Sequence, residues 1–239
     1  MSLRGRGGDG GASAAPWDSL NLSHGVGDDR KAVERNRARF TAALGAPSVW
    51  MRQVHGTDVL RLTQDHLNGP TRTADAAWTT EPGIACTVGA ADCMPVLFAL
   101  RDGSAVAAAH AGWRGLAAGV LEATVQAVCR GTGADAGDLL AWMGPCIGPR
   151  QFEVGADVLA AFGATPEAAD PARFVARARP DGDLRWLANL PQLARERLQA
   201  AGVTGITDAA ACTVEDASRF FSFRRDGITG RMAAAIWRG

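Results

Sequence analysis

Two short apolar runs joined by a turn constrain this chain more than any other stretch. Between Gly89 and Gly115 it reads GAADCMPVLFALRDGSAVAAAHAGWRG. Runs this short, bounded by turn residues, are those of buried strands rather than of helices. Arg101, Asp102 and Gly103 supply a tight turn between them, so the two strands form a hairpin. A hairpin returns the end of its second strand to the start of its first. Cys93, at the head of one strand, and His110, at the tail of the other, are therefore expected as neighbours on one edge of a sheet.

The remaining pattern places helices and strands around that hairpin. Residues 1–16 are rich in Gly, Ala and Ser and carry no hydrophobic period, which predicts a disordered leader. Asp29 is placed to cap a helix over 30–44, in which Ala32, Val33, Asn36 and Phe40 keep helical spacing, and Gly45 and Pro47 end it. Strands are expected at 49–54, 56–63, 73–78, 139–143, 205–213 and 230–237. One helix is expected over 112–130, a short one over 155–162, and an amphipathic one over 186–202 interrupted by Pro191; 164–183 reads as a polar insert. The class is mixed α and β.

Formal net charge is zero, so neither nucleic acid nor an anionic membrane has an electrostatic footprint here. No apolar run reaches the roughly 18 residues of a membrane span. Five cysteines, an odd number without paired spacing, argue against a disulfide framework and fit a reducing compartment, hence a cytoplasmic protein. Lys31 is the single lysine, so a lysine Schiff base could involve no other residue.

Four histidines are present. His24 and His66 lie in polar loops and read as solvated. His55 and His110 end apolar strands, the first followed by Gly56 and the second by Ala111-Gly112, and with Cys93 they make a His–Cys–His set. Three such ligands with an open fourth position suit catalytic zinc. The same residues suit a Cys93 nucleophile with His110 as its base, or hydrogen-bonded core histidines beside an inert thiol. Spacing leaves all three open. Of the other cysteines, Cys86 and Cys129 read as packing, Cys146 as part of a rigid Gly-Pro turn, and Cys212 is undecided. Arg114 opens a helix just after His110, where a guanidinium and helix N–H groups suit an anion. FFSFRRDGITGR, at 220–231, gathers Phe rings and arginines that suit a heterocycle and a phosphate, although a surface loop would read the same way. The glycines of GWRGLAAG lack the dinucleotide-binding spacing.

The runs NLSHGVGDD, RQVHGTDV, AADCMPVLFA, AAHAGWRGLAAGVLE, MGPCIGPRQFEVG and FFSFRRDGITGRMAAAIW, in this order over residues 17–237, resemble the purine nucleoside phosphorylase family once labelled polyphenol oxidase or bacterial laccase. The resemblance implies one catalytic α/β domain over 17–239, with mixed sheets packed between helices as in a deamidating bacterial toxin, the cytotoxic necrotizing factor. It implies zinc on His55, Cys93 and His110, phosphorolysis of adenosine, inosine and methylthioadenosine, and deamination of adenosine. Some members are linked to correcting peptidoglycan precursors. For such chemistry Asp92 is the available acid/base, Arg114 with Arg224 or Arg225 would hold phosphate, and Phe221 would lie against the base. The partners implied are a purine nucleoside and phosphate; the oligomeric state stays open. Two departures stand out: Arg150 replaces a second cysteine after GPCIGP, and HGVGDD stands for HVGDD. Copper polyphenol oxidation is set aside, because four histidines cannot build both a blue-copper centre and a trinuclear cluster. The rivals are a Cys93/His110 amidase acting on a peptidoglycan precursor and a non-enzymatic purine-binding regulator.

Overall fold

The computed structural model of the chain describes residues 1–5 and 10–239. The first helix, α1 (Arg30–Leu44), is capped by the Asp29 carboxylate, which accepts from the N–H groups of Lys31 and Ala32, and it buries Ala32, Val33, Asn36 and Phe40. Short strands β1 (Ser48–Val49), β2 (Val59–Arg61), β3 (Ala76–Thr79) and β4 (Ala85–Ala90) lead into the hairpin of β5 (Met94–Leu100) and β6 (Val106–Ala111). There follow α2 (Trp113–Ala118), α3 (Val120–Thr132), β7 (Leu139–Met143), β8 (Glu153–Val154), α4 (Ala156–Ala161), β9 (Phe174–Ala178) and β10 (Leu184–Ala188). The chain closes with α5 (Leu190–Ala200), β11 (Gly205–Asp208), α6 (Phe223–Asp226) and β12 (Met232–Ile236).

The hairpin forms the middle of a six-stranded sheet of order β11-β7-β5-β6-β3-β2, flanked by three-stranded sheets β1-β4-β12 and β8-β10-β9. Strand alternation divides the core. Trp78, Val96, Phe98, Ala107 and Ala109 face the helices, packing with Leu121, Val125, Leu193 and Leu198. Ala77, Val106 and Ala108, on the opposite face, pack against Cys86, Val88 and Ala234 of the β1-β4-β12 sheet. With both faces of β6 covered, all six of its residues are buried. This is the single mixed α/β domain with sheets between helices that the resemblance implies.

Several expected elements change, each for a local reason. The helix expected over 112–130 is two helices, because Gly119 sits at φ 100°, outside helical space. Of 49–54 only Val49, the second residue of β1, and a bridge from Arg52 to Thr73 are paired, since the N–H groups beyond Gln53 bond a side chain instead of a neighbouring strand. The polar insert contains β9, which hides only Phe174 and so shows no alternation. Residues 186–188, expected in the helix, instead belong to β10 and pair with β9, and Pro191 falls in the first turn of α5, where its missing N–H costs nothing.

The leader expected over 1–16 behaves differently wherever it is described. Ser2 N–H donates to Ala233 O at 2.7 Å, Arg4 N–H to Arg219 O at 2.7 Å, and Ala12 N–H to Asn36 Oδ1 at 2.6 Å. The expectation for residues 6–9 lies outside the described residues. Among the described residues, no helix is long and apolar enough to cross a membrane.

Helix α3 seats on β3 through a glycine. A Cβ at Gly131 would lie 2.0 Å from the Trp78 ring, which is 5% exposed. Gly→Ala inside a helix gains about 1 kcal/mol on propensity alone. Here overpacking of roughly 1–3 kcal/mol opposes it. Gly131→Ala is expected to lower the melting temperature, and a raised one would show that α3 can slide on its sheet.

Candidate metal centre and cleft

β5 and β6 pair Met94 with Ala111 and Pro95 with His110, so Cys93 and His110 meet at one end of the hairpin as expected. His55 completes the group: its Nε2 lies 3.7 Å from Cys93 Sγ, and its ring stands 4.8 Å from that of His110 at 70°. One donor atom from each of the three residues falls within 4.8 Å of the other two.

A residue that the motifs do not contain holds this arrangement. Asp75, fully buried just before β3, takes His110 Nδ1–H on Oδ1 at 2.9 Å, and the same oxygen accepts His55 N–H at 2.9 Å. Its Oδ2 accepts the N–H groups of Val54 at 3.0 Å and Gly56 at 2.8 Å. His55 adopts φ 62°, a conformation that non-glycine residues rarely hold unless the surroundings enforce it. Three N–H bonds to one carboxylate enforce it. Gly112 provides the clearance, since a Cβ there would stand 2.7 Å from His55 Cδ2 and 2.8 Å from Cys93 Sγ.

The electrostatics are those of a charged relay. Burial pushes the Cys93 thiol up, but the adjoining His110 and hydrogen bonds from both imidazoles outweigh it and hold the thiol below its ordinary value. Burial pushes His110 down, and the Cys93 thiolate and the Asp75 carboxylate more than reverse this. Asp75 is raised by burial and lowered further by its bonds to His110, Val54 and Gly56, ending below the usual carboxylate range. The donor set fits a metal. With Nδ1 of His110 bonded to Asp75, its Nε2 remains for a ligand, and the carboxylate–imidazole pair is the common support of a metal-bound histidine. Two imidazoles and a thiolate suit zinc with one coordination position left open.

The trio opens into a cleft of about 880 Å³ whose wall includes Trp50, Trp113, Phe152, Phe223 and Arg37, Arg52, Arg114, Arg224 and Arg231. Arg114 is exposed at the start of α2, its guanidinium 4.4 Å from the Trp113 ring centroid. Arg224 donates to Glu153 O at 2.8 Å and lies over Phe152.

Three expected site residues are placed elsewhere or otherwise occupied. Phe221 is fully buried in a core with Ala91, Phe220 and Met232 and does not itself line the cleft; Phe223, two residues on, is 58% exposed and does. Arg225 spends its guanidinium on the carbonyls of Thr213, Val214 and Phe220 and on Asp226. Asp92 borders the cleft, but its Oδ1 accepts Thr213 Oγ1–H and its Oδ2 accepts Arg224 N–H, both at 2.6 Å. Its carboxylate clamps loops together rather than standing free as a proton carrier. His24 is exposed, as expected, and stands on the cleft wall, while His66 Nδ1 accepts Thr63 N–H in a local turn. Cys146 is buried and Cys86 is sealed in the second core, where burial raises both thiols. The one sequence signal for Asp75 is an acid heading an apolar strand, ADAAWT, where a charge needs a buried partner.

A family model described as multi-copper polyphenol oxidoreductase laccase matches residues 6–239. A Pseudomonas aeruginosa protein named purine nucleoside phosphorylase is 50% identical over 230 residues, covering 95% of this chain and 89% of its own. An Escherichia coli (strain K12) protein of the same name is 50% identical over 230 residues, covering 95% and 90%. The crystal structure of a Neisseria meningitidis protein superposes with a TM-score of 0.86 at 43% identity, covering 99% of this chain and 91% of that one.

Two outcomes follow from the geometry. Asp75→Asn keeps the shape but removes the charge beside His110, and is expected to weaken zinc binding about 10–100-fold in a chelator competition; unchanged affinity would show that Asp75 is only a backbone clasp. In metal-free protein, alkylation of Cys93 should rise as pH climbs through a midpoint below the ~8.5 of a free cysteine. Because a lowered folded pKa keeps the thiolate at more acidic pH, Asp75→Asn should move that midpoint upward. A midpoint at or above 8.5 would contradict the relay.

Proposed function

The chain belongs to the family described as multi-copper polyphenol oxidoreductase laccase, and within it we propose a zinc-dependent purine nucleoside phosphorylase that cleaves adenosine, inosine and methylthioadenosine with phosphate and also deaminates adenosine. The names of the relatives support the phosphorylase reading. The observation that carries it is a His–Cys–His donor trio at the base of a cleft walled by aromatic rings and arginines. Five free cysteines support a reducing, cytoplasmic setting.

Zinc held by His55, Cys93 and His110 would supply Lewis-acid polarisation of an oxygen at the reacting centre. The protein's own groups do the rest. Asp75 fixes the His110 tautomer and braces His55. Arg114 and Arg224 hold phosphate as an anion, and the rings of Trp113, Phe152 and Phe223 offer faces to the purine. In phosphorolysis a phosphate oxygen bonds the anomeric carbon as the glycosidic electron pair passes to the purine, which takes up a proton. Cationic groups that fix the phosphate beneath the ribose stabilise the oxocarbenium-like state between.

Two imidazoles and a thiolate are also the ligands of a trigonal copper centre, as the family description invites. The other histidines, His24 and His66, are too few for a further cluster in one chain, and the thiolate–imidazole set serves zinc equally well. A second reading has its own support. Asp75, His110 and Cys93 form a carboxylate–imidazole–thiol sequence, the order of groups in a cysteine amidase, which could act on a peptidoglycan precursor.

Elemental analysis with chromatography of adenosine–phosphate incubations separates these readings. The expected result is one zinc per chain, lost in Cys93→Ala, with adenine and inosine as products. Arg114→Ala should raise the phosphate KM by about tenfold, the loss of a charged hydrogen bond. Metal-free protein that is covalently labelled at Cys93 would favour the amidase. Purine binding with neither product at any zinc loading would leave a regulator.

A further inference from the structure

The cleft carries more positive charge than inorganic phosphate alone accounts for. None of its five arginines makes an ion pair with a carboxylate among the described residues, whereas eleven arginines elsewhere in the fold do. Glu34, the acid near Arg37, is engaged by Arg30 at 2.9 Å. Asp92 is the sole carboxylate on the cleft wall, and both its oxygens are occupied. Seven further described arginines also lack a carboxylate partner, so what marks the cleft is that five such guanidinium groups line one space with a single, already occupied carboxylate among them.

Two of these arginines stand apart from the phosphate-holding pair. Arg37 packs 4.0 Å from the Trp50 ring centroid and is held through Nε, which donates to Leu22 O at 2.8 Å. Arg52 is likewise held through Nε, on Thr73 Oγ1 at 2.9 Å. Both terminal nitrogens of each are without a partner among the described residues. A guanidinium fixed at Nε with its outer fork free is prepared for end-on contact with a phosphate or carboxylate. Trp50 and Arg52 lie five and three residues before His55 on one wall, so the chain sets them within roughly 18 Å and 11 Å of it, at about 3.6 Å per residue. That is the reach of a nucleoside with one further group attached.

We propose that Arg37 and Arg52, beside Trp50, form a second anion subsite that takes a negatively charged group carried by the substrate itself, so that the preferred ligand is a phosphorylated rather than a neutral nucleoside. The inference rests on the purine nucleoside reading only for the rest of the ligand; the subsite needs only an anion attached to a sugar.

The test therefore has one arm that does not depend on turnover. Ribose 5-phosphate is titrated calorimetrically into the zinc-loaded protein in saturating inorganic phosphate, which fills the Arg114–Arg224 position. Binding is expected to persist, to weaken about tenfold or more in Arg52→Gln and in Arg37→Gln, and to recover in part in Arg52→Lys. Arg114→Gln should have the smaller effect. Arg52 is exposed, so its substitution tests the subsite even if Arg37→Gln perturbs folding through Trp50. Absence of binding, its abolition by inorganic phosphate, or a loss confined to Arg114→Gln overturns the proposal. In the second arm, adenine release from adenosine 5′-monophosphate should exceed that from adenosine in kcat/KM, with the ratio falling in Arg52→Gln. Equal rates overturn the preference. Failure of both substrates while ribose 5-phosphate still binds rejects the purine reading and retains the subsite.

Discussion

The carboxylate of Asp75 is the contact on which the site depends. A buried carboxylate is costly unless its lone pairs are satisfied by strong donors. Asp75 meets that condition with three consecutive backbone N–H groups and the imidazole of His110. Hydrogen bonds to a charged group contribute about 1.5–3 kcal/mol each, against roughly 1–3 kcal/mol for a strained backbone such as that of His55. The balance allows the chain at Val54–Gly56 to leave sheet pairing and carry His55 over the end of the central hairpin. One side chain thereby sets the position of one candidate ligand and the tautomer of another.

A second buried acid organises the opposite side in the same manner. Asp92, at φ 90°, sits immediately before Cys93 and ties Thr213 and the backbone of Arg224 to the hairpin, while its carbonyl accepts from Ile147 N–H at 2.9 Å. Segments distant in sequence are drawn to the head of β5, and Arg224 is delivered to the cleft with its side chain free of the clamp. The two carboxylates thus serve as struts. The charges left facing the cleft are cationic, which is the field an anionic reactant requires.

The match between sequence and structure is closest where interactions are local or strictly periodic. The α1 cap, the hairpin register, the meeting of Cys93 with His110 and the strand at 139–143 follow from turn chemistry and alternation. The exchange of Phe221 for Phe223 and the diversion of Arg225 do not. In FFSFRRDG every residue type suits a ligand, and only packing decides which ring enters the core and which guanidinium is consumed by carbonyls. The two-helix break at Gly119 was similarly hidden, because a glycine within a helical pattern shows its φ only once both flanking segments are packed.

The sequence by itself determined a mixed α/β chain, a central hairpin with Cys93 and His110 at one end, and a family membership read from motifs in order. These rest on near-neighbour rules and on residue chemistry, which composition and spacing express directly. Tertiary structure alone decided that Asp75 is what braces His55 against the other two, that Asp92 is a clamp, and that Arg37, Arg52 and Trp50 share a wall with the metal trio. Each of these depends on where a buried charge finds its donors. That is settled by how distant segments pack, and no local stretch of the chain contains it.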